Sequence, residues 1–599
     1  MERSPELEIY YGPNIYADEA IVLAGLTLDD LTIMQSSEII ASVSKLVGDD
    51  LACEPDSDCT GEGERLVSYV VNLTLKILNS RVGFLHTKGF RMTGHNSFAL
   101  WVGFHQPRVS ASALSMVLSV CDAATTGQVL GERVRDHIEK LTASAGPFHP
   151  APQERVMMEG ARVLDIPYRP GWNIPRFWQF GWGARSMMDC QGATNGDGMI
   201  SNHVIADKRY SKSFIHNHGM PAPRDVSVET EDQIPEAVEQ IGFPCVVKPP
   251  NMGQGKGVSA GLTDIDQVRA AFRVARRYSK RPIMVEQHVM GGDHRLLMLD
   301  GKLMGTIRRD PPEVTGDGTS TVRELVDTLN RDRIPKGRNN YTKPWQIDVD
   351  EDLLEQLSKQ GTTLDAVLPE GKRIILKSAG NIAGGGIATD VSQIVHPDVR
   401  KAAELLAGSL GVHLAGFDYI TQDIASSWRD GNGAFIELNL TPGTDVHTQA
   451  GWSPVELGKM LLGSETGRIP LDIVVVEESD LDAIETACSS MAERAGHGWA
   501  SHRRAMIENL ELQVPALEPW SAVNCLIGNG TVASALLIVT SQALRKNGLP
   551  VDRADRIWNC DAALDADWKG VLERSCAATV QDMELAQYLA RLEGASQPA

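Results

Sequence analysis

Two short apolar runs near residue 430 carry polar groups where hydrocarbon belongs. Gly416-Phe417-Asp418-Tyr419-Ile420 sets a carboxylate inside one strand-like run, and Ala434-Phe435-Ile436-Glu437-Leu438-Asn439 sets a carboxylate and an amide inside another. Side chains alternate along a strand, so Glu437 and Asn439 share one face and Ile436 and Leu438 the other. If the two strands are neighbours, three oxygen-bearing side chains converge. Such groups are costly among apolar residues unless a cation or a basic partner meets them. Hard oxygen donors with room for water and phosphate are what Mg²⁺ prefers. The other reading is a satisfied polar network or an exposed sheet face.

Cations that could complete such a site lie upstream. Phe243-Pro244-Cys245-Val246-Val247-Lys248-Pro249 delivers Lys248 at the end of a β-branched run bounded by prolines. Five residues on comes Gly253-Gln254-Gly255-Lys256-Gly257, whose alternate glycines let backbone N–H groups approach an anion closely. A glycine loop alone is equally an ordinary turn, and the G-x-x-x-x-G-K-[ST] phosphate loop occurs nowhere in the chain. Ala206-Asp207-Lys208 through Ser211-Lys212 opens a predicted helix that ends near His218-Gly219. Lys208 by itself reads as solvated surface; with Lys248 it forms a pair suited to a triphosphate. Ile283 to Val289 reads as a strand running into a turn at Gly291-Gly292, followed by Asp293. Backbone groups of such a segment can pair with adenine's edge, and a carboxylate after the turn can reach ribose hydroxyls.

The rest of the composition narrows the partners. The 599 residues carry 57 Lys and Arg against 78 Asp and Glu, a formal charge of −21. A surface of that sign repels nucleic acid and anionic lipid, so neither is expected as a partner; small molecules are. Nine scattered cysteines without a C-x-x-C, and no apolar run long enough to span a bilayer, predict a reduced, cytoplasmic protein. The opening residues also lack the apolar core of a secretory signal.

Three parts are expected. Residues 1–160 read as an α+β domain, with a helix through Val70–Leu75, strands at Val82–Leu85 and Phe98–Phe104, and a helix over Ala111–Asp122. Pro147, Pro150 and Pro152 mark its end. Residues 161–465 hold the chemistry. Residues 466–599 read as a small α/β domain, with strands at Leu471–Val476 and Asn524–Ile527 and helices at Ala533–Lys546 and Gln581–Leu592.

Taken together, the central motifs resemble the ATP-grasp ligases, and within them the cyanophycin synthetases, over roughly residues 160–450. The landmarks come in that family's order: Gln179-Phe180-Gly181-Trp182-Gly183, Ala206-Asp207-Lys208, Val247-Lys248-Pro249 with the glycine loop, Gly292-Asp293-His294-Arg295, Gly316-Asp317-Gly318-Thr319, Gln360-Gly361-Thr362-Thr363, Val395-His396-Pro397, and Glu437-Leu438-Asn439 before Thr441-Pro442-Gly443. The resemblance implies an α+β multidomain fold with an ATP-grasp core, ATP and Mg²⁺ as cofactors, and a homo-oligomer. It implies Lys208 and Lys248 as phosphate lysines and Gly253, Gln254, Gly255, Lys256 and Gly257 as the loop over the phosphates. Glu286, Gln287 and Val289 would form the adenine hinge, Asp293 the ribose contact, and Asp418, Glu437 and Asn439 the Mg²⁺ ligands. Arg309 matches an active-site arginine. The implied reaction is amide-bond formation between amino acids or short peptides through an acylphosphate, releasing ADP and phosphate.

Two departures qualify the resemblance. The family's muramyl-ligase-like module, with its phosphate loop, should begin near Gly467; here Leu471-Asp472-Ile473-Val474 follows instead. Loss of the second ATP-driven step is therefore expected. A paired-arginine run of the family is replaced by Lys377-Ser378, and a hydroxyl pair by Ala383-Gly384, while Asn381, Gly385 and Gly386 remain. Lysine lacks the planar fork that grips a carboxylate, so a different substrate is expected, with Asn381 kept on the phosphate side of the site. A chain joining ready-made β-aspartyl-arginine dipeptides and a non-catalytic nucleotide-binding scaffold are the rival readings.

Overall fold

The computed structural model describes all residues except 1, 4–6, 82, 126–131, 173, 254, 336–341, 432, 491–494 and 596–599. Its contacts group the chain into two compact units, Met1–Met188 with Gly458–Ala599, and Asp189–Leu457.

In the first unit, strands Ile21–Thr27, Ser97–Gly103 and Lys88–Gly94 form an antiparallel sheet, joined at the edge by Glu8–Tyr10 and Glu2–Arg3. Helices Glu62–Leu78 and Pro107–Thr125 bury Leu66, Val70, Leu73, Ala113, Leu114 and Val117 against its apolar face. The 466–599 stretch builds a second sheet on the central strand Leu471–Val476, flanked in parallel by Ser534–Thr540 and Arg556–Asn559. Strands buried on both faces read as continuous apolar runs, and Ile473, Val474, Val475 and Val476 have no exposed surface.

Four predicted elements in this unit are corrected. Val82 lies outside the described residues, and Gly83–Leu85 is not a strand. The Asn79 side chain donates to the Leu85 carbonyl at 2.7 Å and accepts from its N–H at 3.1 Å, supplying the partners a neighbouring strand would have given. Asn524–Ile527 belongs to the helix Ser521–Ile527, because a four-residue apolar run fits a buried helix turn as well as a strand. Ser534–Thr540 is a strand, and only Ser541–Asn547 is helical. Thr540 makes the switch, its hydroxyl accepting from the Ala543 N–H at 3.2 Å as a helix N-cap. Similarly, the last helix starts at Leu585, with Gln581–Asp582 paired as a strand.

The second unit carries the predicted site. Its smaller sheet is antiparallel, in the order Asp225–Val228, Ile283–Gln287, Cys245–Lys248, Ser259–Leu262. Helices Ile234–Ile241 and Ile265–Tyr278 cover one face and bury Ala237, Val268 and Phe272 with Val247 and Val285. The larger sheet runs Ile387–Asp390, Lys302–Asp310, Gly292–Leu299, Leu414–Thr421, Gly433–Asn439, again all antiparallel. Helix Pro397–Leu410 packs Val399, Ala403 and Leu406 against Leu296, Phe417 and Leu438. That apolar face fixes the register, because a one-residue slip would bury the charged side chains instead.

Candidate active site

The opposite face of the larger sheet is charged in a pattern the register dictates. Asp293 pairs with Arg309, Arg295 with Asp418, Asp418 with Glu437, and Gly416 with Asn439 across adjacent strands. Opposed residues share a face, so these acids and arginines gather on one face across four strands, with Asp418 and Glu437 directly opposed. The Arg309 Nη2 donates to Asp293 Oδ1 at 2.7 Å and to Asp418 Oδ1 at 3.0 Å. The Arg295 Nε lies 3.2 Å from the same Asp418 oxygen. Burial opposes the Arg309 charge, but Asp418 and Asp293 outweigh it and hold the guanidinium above its ordinary value. For Asp293 burial dominates and raises the pKa, against the pull of Arg309.

Helix Lys208–Asn217 brings the lysines. Asp207 caps it, accepting from the Arg209 N–H at 3.0 Å, and so sets Lys208 at the first helical position. The Lys208 Nζ donates to Glu437 Oε1 and to the Met252 carbonyl, each at 2.7 Å. One turn on, Lys212 shares the Glu286 carboxylate with Lys248, whose Nζ lies 2.7 Å from Oε1. All three are buried, with 1%, 3% and 3% of Lys212, Lys248 and Glu286 exposed. Asp225, opposite Glu286 on the next strand, is the second acid near these lysines, its own pKa raised by burial. Burial, then the neighbouring Lys248, brings Lys212 down to about 8. Glu286 is raised by burial but pulled below the usual carboxylate range by Lys248 and Lys212.

The structure therefore places the predicted residues as follows. Arg309 bonds Asp293 and Asp418, Lys208 bonds Glu437, which faces Asp418 from the adjacent strand, and Asn439 lies two residues beyond Glu437 on its face. Lys248 and Glu286 form a second pair, so the Glu286 carboxylate is engaged by lysines. The Gln287 N–H donates to the Arg224 carbonyl at 2.9 Å, while among the described residues Val289 has no backbone partner. Gly253, Gly255, Lys256 and Gly257 form an exposed turn, with φ +74° and +73° at Gly255 and Gly257; Gln254 lies outside the described residues. Asn381 caps the short turn Ile382–Gly384, its side chain accepting from the Ala383 N–H at 3.1 Å. It sits beside Arg309 because Gly380 packs on that residue: a Cβ there would lie 2.2 Å from the Arg309 carbonyl oxygen. Lys377 is buried and ion-paired with Asp350.

Three residues escaped the sequence reading. Lys212 follows Lys208 by four, the spacing that shares a helix face. Arg295 follows Asp293 by two, the strand equivalent. His447 carries no such signal. It is fully buried, neither ring nitrogen has a partner among the described residues, and burial, then Arg295, lowers its pKa to about 3.

Asp418, Glu437 and Asn439 offer only oxygen and amide donors. Each carboxylate uses one oxygen on the neighbouring cations, Asp418 Oδ1 and Glu437 Oε1, and among the described residues the second oxygen of each has no side-chain bond. The Asn439 Nδ2 is buried without a partner. The set fits a hard cation shared between two carboxylates and an amide. Among the described residues no three His, Cys, Asp or Glu side chains form a metal centre, in keeping with a set containing only two acids.

Residues 213–291, which hold Lys248, the glycine loop and the hinge, match the ATP-grasp domain family. Cyanophycin synthetase from Synechocystis sp. is 33% identical over 271 residues, 45% of this chain and 31% of the relative. Cyanophycin synthetase from Crocosphaera subtropica is 27% identical over 456 residues, 73% of this chain and 52% of the relative. The glutathione biosynthesis bifunctional protein GshAB of Streptococcus mutans is 31% identical over 277 residues, 45% of this chain and 36% of the relative. The chain thus spans about a third to a half of the length of the curated relatives it matches. Over these stretches the chain is similar to cyanophycin synthetases, and its residues 213–291 match the ATP-grasp domain family.

Proposed function

We propose that this protein is an ATP-dependent carboxylate–amine ligase that joins amino acids or short peptides, releasing ADP and phosphate. The observation that carries the reading is the meeting of Lys208 with Glu437 beside Asp418 and Asn439, next to the buried Lys212–Glu286–Lys248 group. A carboxylate is a poor electrophile until phosphorylated, and phosphoryl transfer needs chiefly positioning and charge neutralisation. Lys208, Lys212 and Lys248 supply positive charge for the nucleotide's phosphates, and the amides of Gly253, Gly255, Lys256 and Gly257 face them. Glu286 holds its two lysines in place, Val289 and Gln287 face the base, and Asp293 takes the ribose. Asp418, Glu437 and Asn439 would hold Mg²⁺, which when bound would neutralise charge on the phosphates. Arg309, tied to Asp293 and Asp418, is placed to steady the oxyanion that forms as the amine attacks the acylphosphate, with Asn381 beside it. No protein nucleophile takes part.

The domain division at 160 and 465, a cytoplasmic location and a homo-oligomer belong to the same reading. No helix among the described residues is long and apolar enough to cross a membrane. Similarity to cyanophycin synthetase favours a second reading, polymerisation of β-aspartyl-arginine dipeptides. Incubation with ATP, Mg²⁺ and a panel of amino acids and dipeptides, read by mass spectrometry, separates the two. A discrete amide supports the first, a polymer ladder the second, and the absence of any ADP-coupled product across the panel contradicts both.

A further inference from the structure

A cavity of about 710 Å³ lies wholly in the unit formed by residues 1–188 and 458–599. That volume suits a small molecule. Its wall includes the hairpin of strands Tyr168–Pro170 and Phe177–Phe180, in which Arg169 and Gln179 are register partners. The Gln179 amide donates to the Gly181 and Ile527 carbonyls at 2.9 and 2.8 Å, which turns its oxygen toward the guanidinium. Arg169 donates to that oxygen at 3.2 and 3.1 Å and also to the Asn524 side chain, while its Cζ lies 5.4 Å from the centre of the Trp182 ring. Every hydrogen-bond partner of Arg169 is a neutral amide. Glu518 favours the Arg169 charge but makes no hydrogen bond to it among the described residues; its carboxylate accepts from the Asn524 amide at 3.5 Å.

Arg169 is thus hydrogen-bonded only to neutral groups on the cavity wall, with the Glu518 carboxylate answering its charge at longer range. The neighbouring Arg468 differs, since Asp165 and Asp552 pair with it. The indole nitrogens of Trp182 and Trp520, both lining the cavity, are buried without partners among the described residues. At the mouth, Trp172 and Leu517 are 54% and 69% exposed. Trp172 and Arg176 hold φ of +51° and +69°, strained values for bulky residues and a mark of sites where the chain is shaped for a ligand. The remaining Nη1 N–H of the guanidinium can donate to one carboxylate oxygen, and an aromatic and aliphatic mouth matches an apolar body.

We propose that this cavity binds a carboxylate with an aromatic or branched apolar body, an amino acid or the C-terminal residue of a peptide, its carboxylate on Arg169 and its body against Trp172 and Leu517. None of the cavity residues belongs to the unit carrying the lysine and carboxylate clusters, so the site stands apart from the ligase reading.

Calorimetric titration of the full chain tests it, with L-phenylalanine, the dipeptide Ala-Phe, N-acetyl-L-phenylalanine and N-acetyl-L-phenylalaninamide as probes. At least one acid should saturate the protein, with the amide bound tenfold or more weaker. Tighter binding of the free amino acid or of the two peptide-like acids identifies the source. Arg169→Met should weaken the acids at least tenfold, to the level of the amide. Trp172→Ala, an exposed change that leaves the hairpin's hydrogen bonds intact, should weaken acids and amide alike and decides the matter if Arg169→Met fails to fold. Failure of every acid to saturate, equal binding of acid and amide, or loss of binding in Glu437→Gln but not in Trp172→Ala would overturn the proposal.

Discussion

Glu286 is the residue on which the buried charge in the Asp189–Leu457 unit turns. It is the shared counterion of Lys212 and Lys248, and removing its charge strands two buried ammonium groups. Glu286→Gln should lower stability by roughly 3–5 kcal/mol, the usual cost of breaking a buried pair from one side. Denaturant unfolding of the full chain measures this; a variant as stable as the parent would show that water reaches the pair. Lys212 adds a pH dependence. Its folded value, about 8, lies below the ordinary 10.5, so on acidification the unfolded chain takes the proton first. Lys212 therefore costs stability progressively as pH falls from 10.5 to about 8, and nothing further below that. The charge it offers a phosphate runs the other way, full below about pH 8 and fading above. Nucleotide affinity should weaken between pH 8 and 9.5 in the parent and stay flatter in Lys212→Arg, which keeps its charge. Identical profiles in the two proteins would remove Lys212 from the site.

At the level of strands and turns, the site depends on how closely the Gly380–Gly386 segment meets strand Lys302–Asp310. Gly380→Ala forces a methyl group against the Arg309 carbonyl. An overpacking cost of about 1–3 kcal/mol is expected, together with a fall in turnover as Arg309 shifts and little change in nucleotide affinity. Steady-state kinetics beside calorimetry checks the split, and unchanged turnover would mean that Arg309 takes no part in the reaction. The same elements show what could be read from sequence. Asp418, Glu437 and Asn439 were legible because strand alternation is local and their apolar neighbours fix the face. Lys248 at a strand end was legible for the same reason. The sharing of Glu286 between Lys212 and Lys248 was not, because it joins a helix to two strands that meet only in the fold. Asn524–Ile527 and Ser534–Thr540 were misread because short apolar runs suit a buried helix or a parallel strand alike, and burial on both faces erases the period that tells them apart.

Across the whole molecule, a formal charge of −21 surrounds a few buried cations. Long-range repulsion of an anionic nucleotide should therefore be relieved by salt until the local pairing is itself screened. What distinguishes the site from this background is that Lys208 reaches Glu437, bringing a phosphate-type cation to a metal-type carboxylate. The most direct test is calorimetric binding of a non-hydrolysable ATP analogue to the full chain, with and without Mg²⁺, in the parent and in Glu437→Gln. The account predicts Mg²⁺-dependent binding in the parent and at least a tenfold loss of that dependence in the variant, with the fold intact by circular dichroism. Equal Mg²⁺-dependent binding by the two proteins would contradict it.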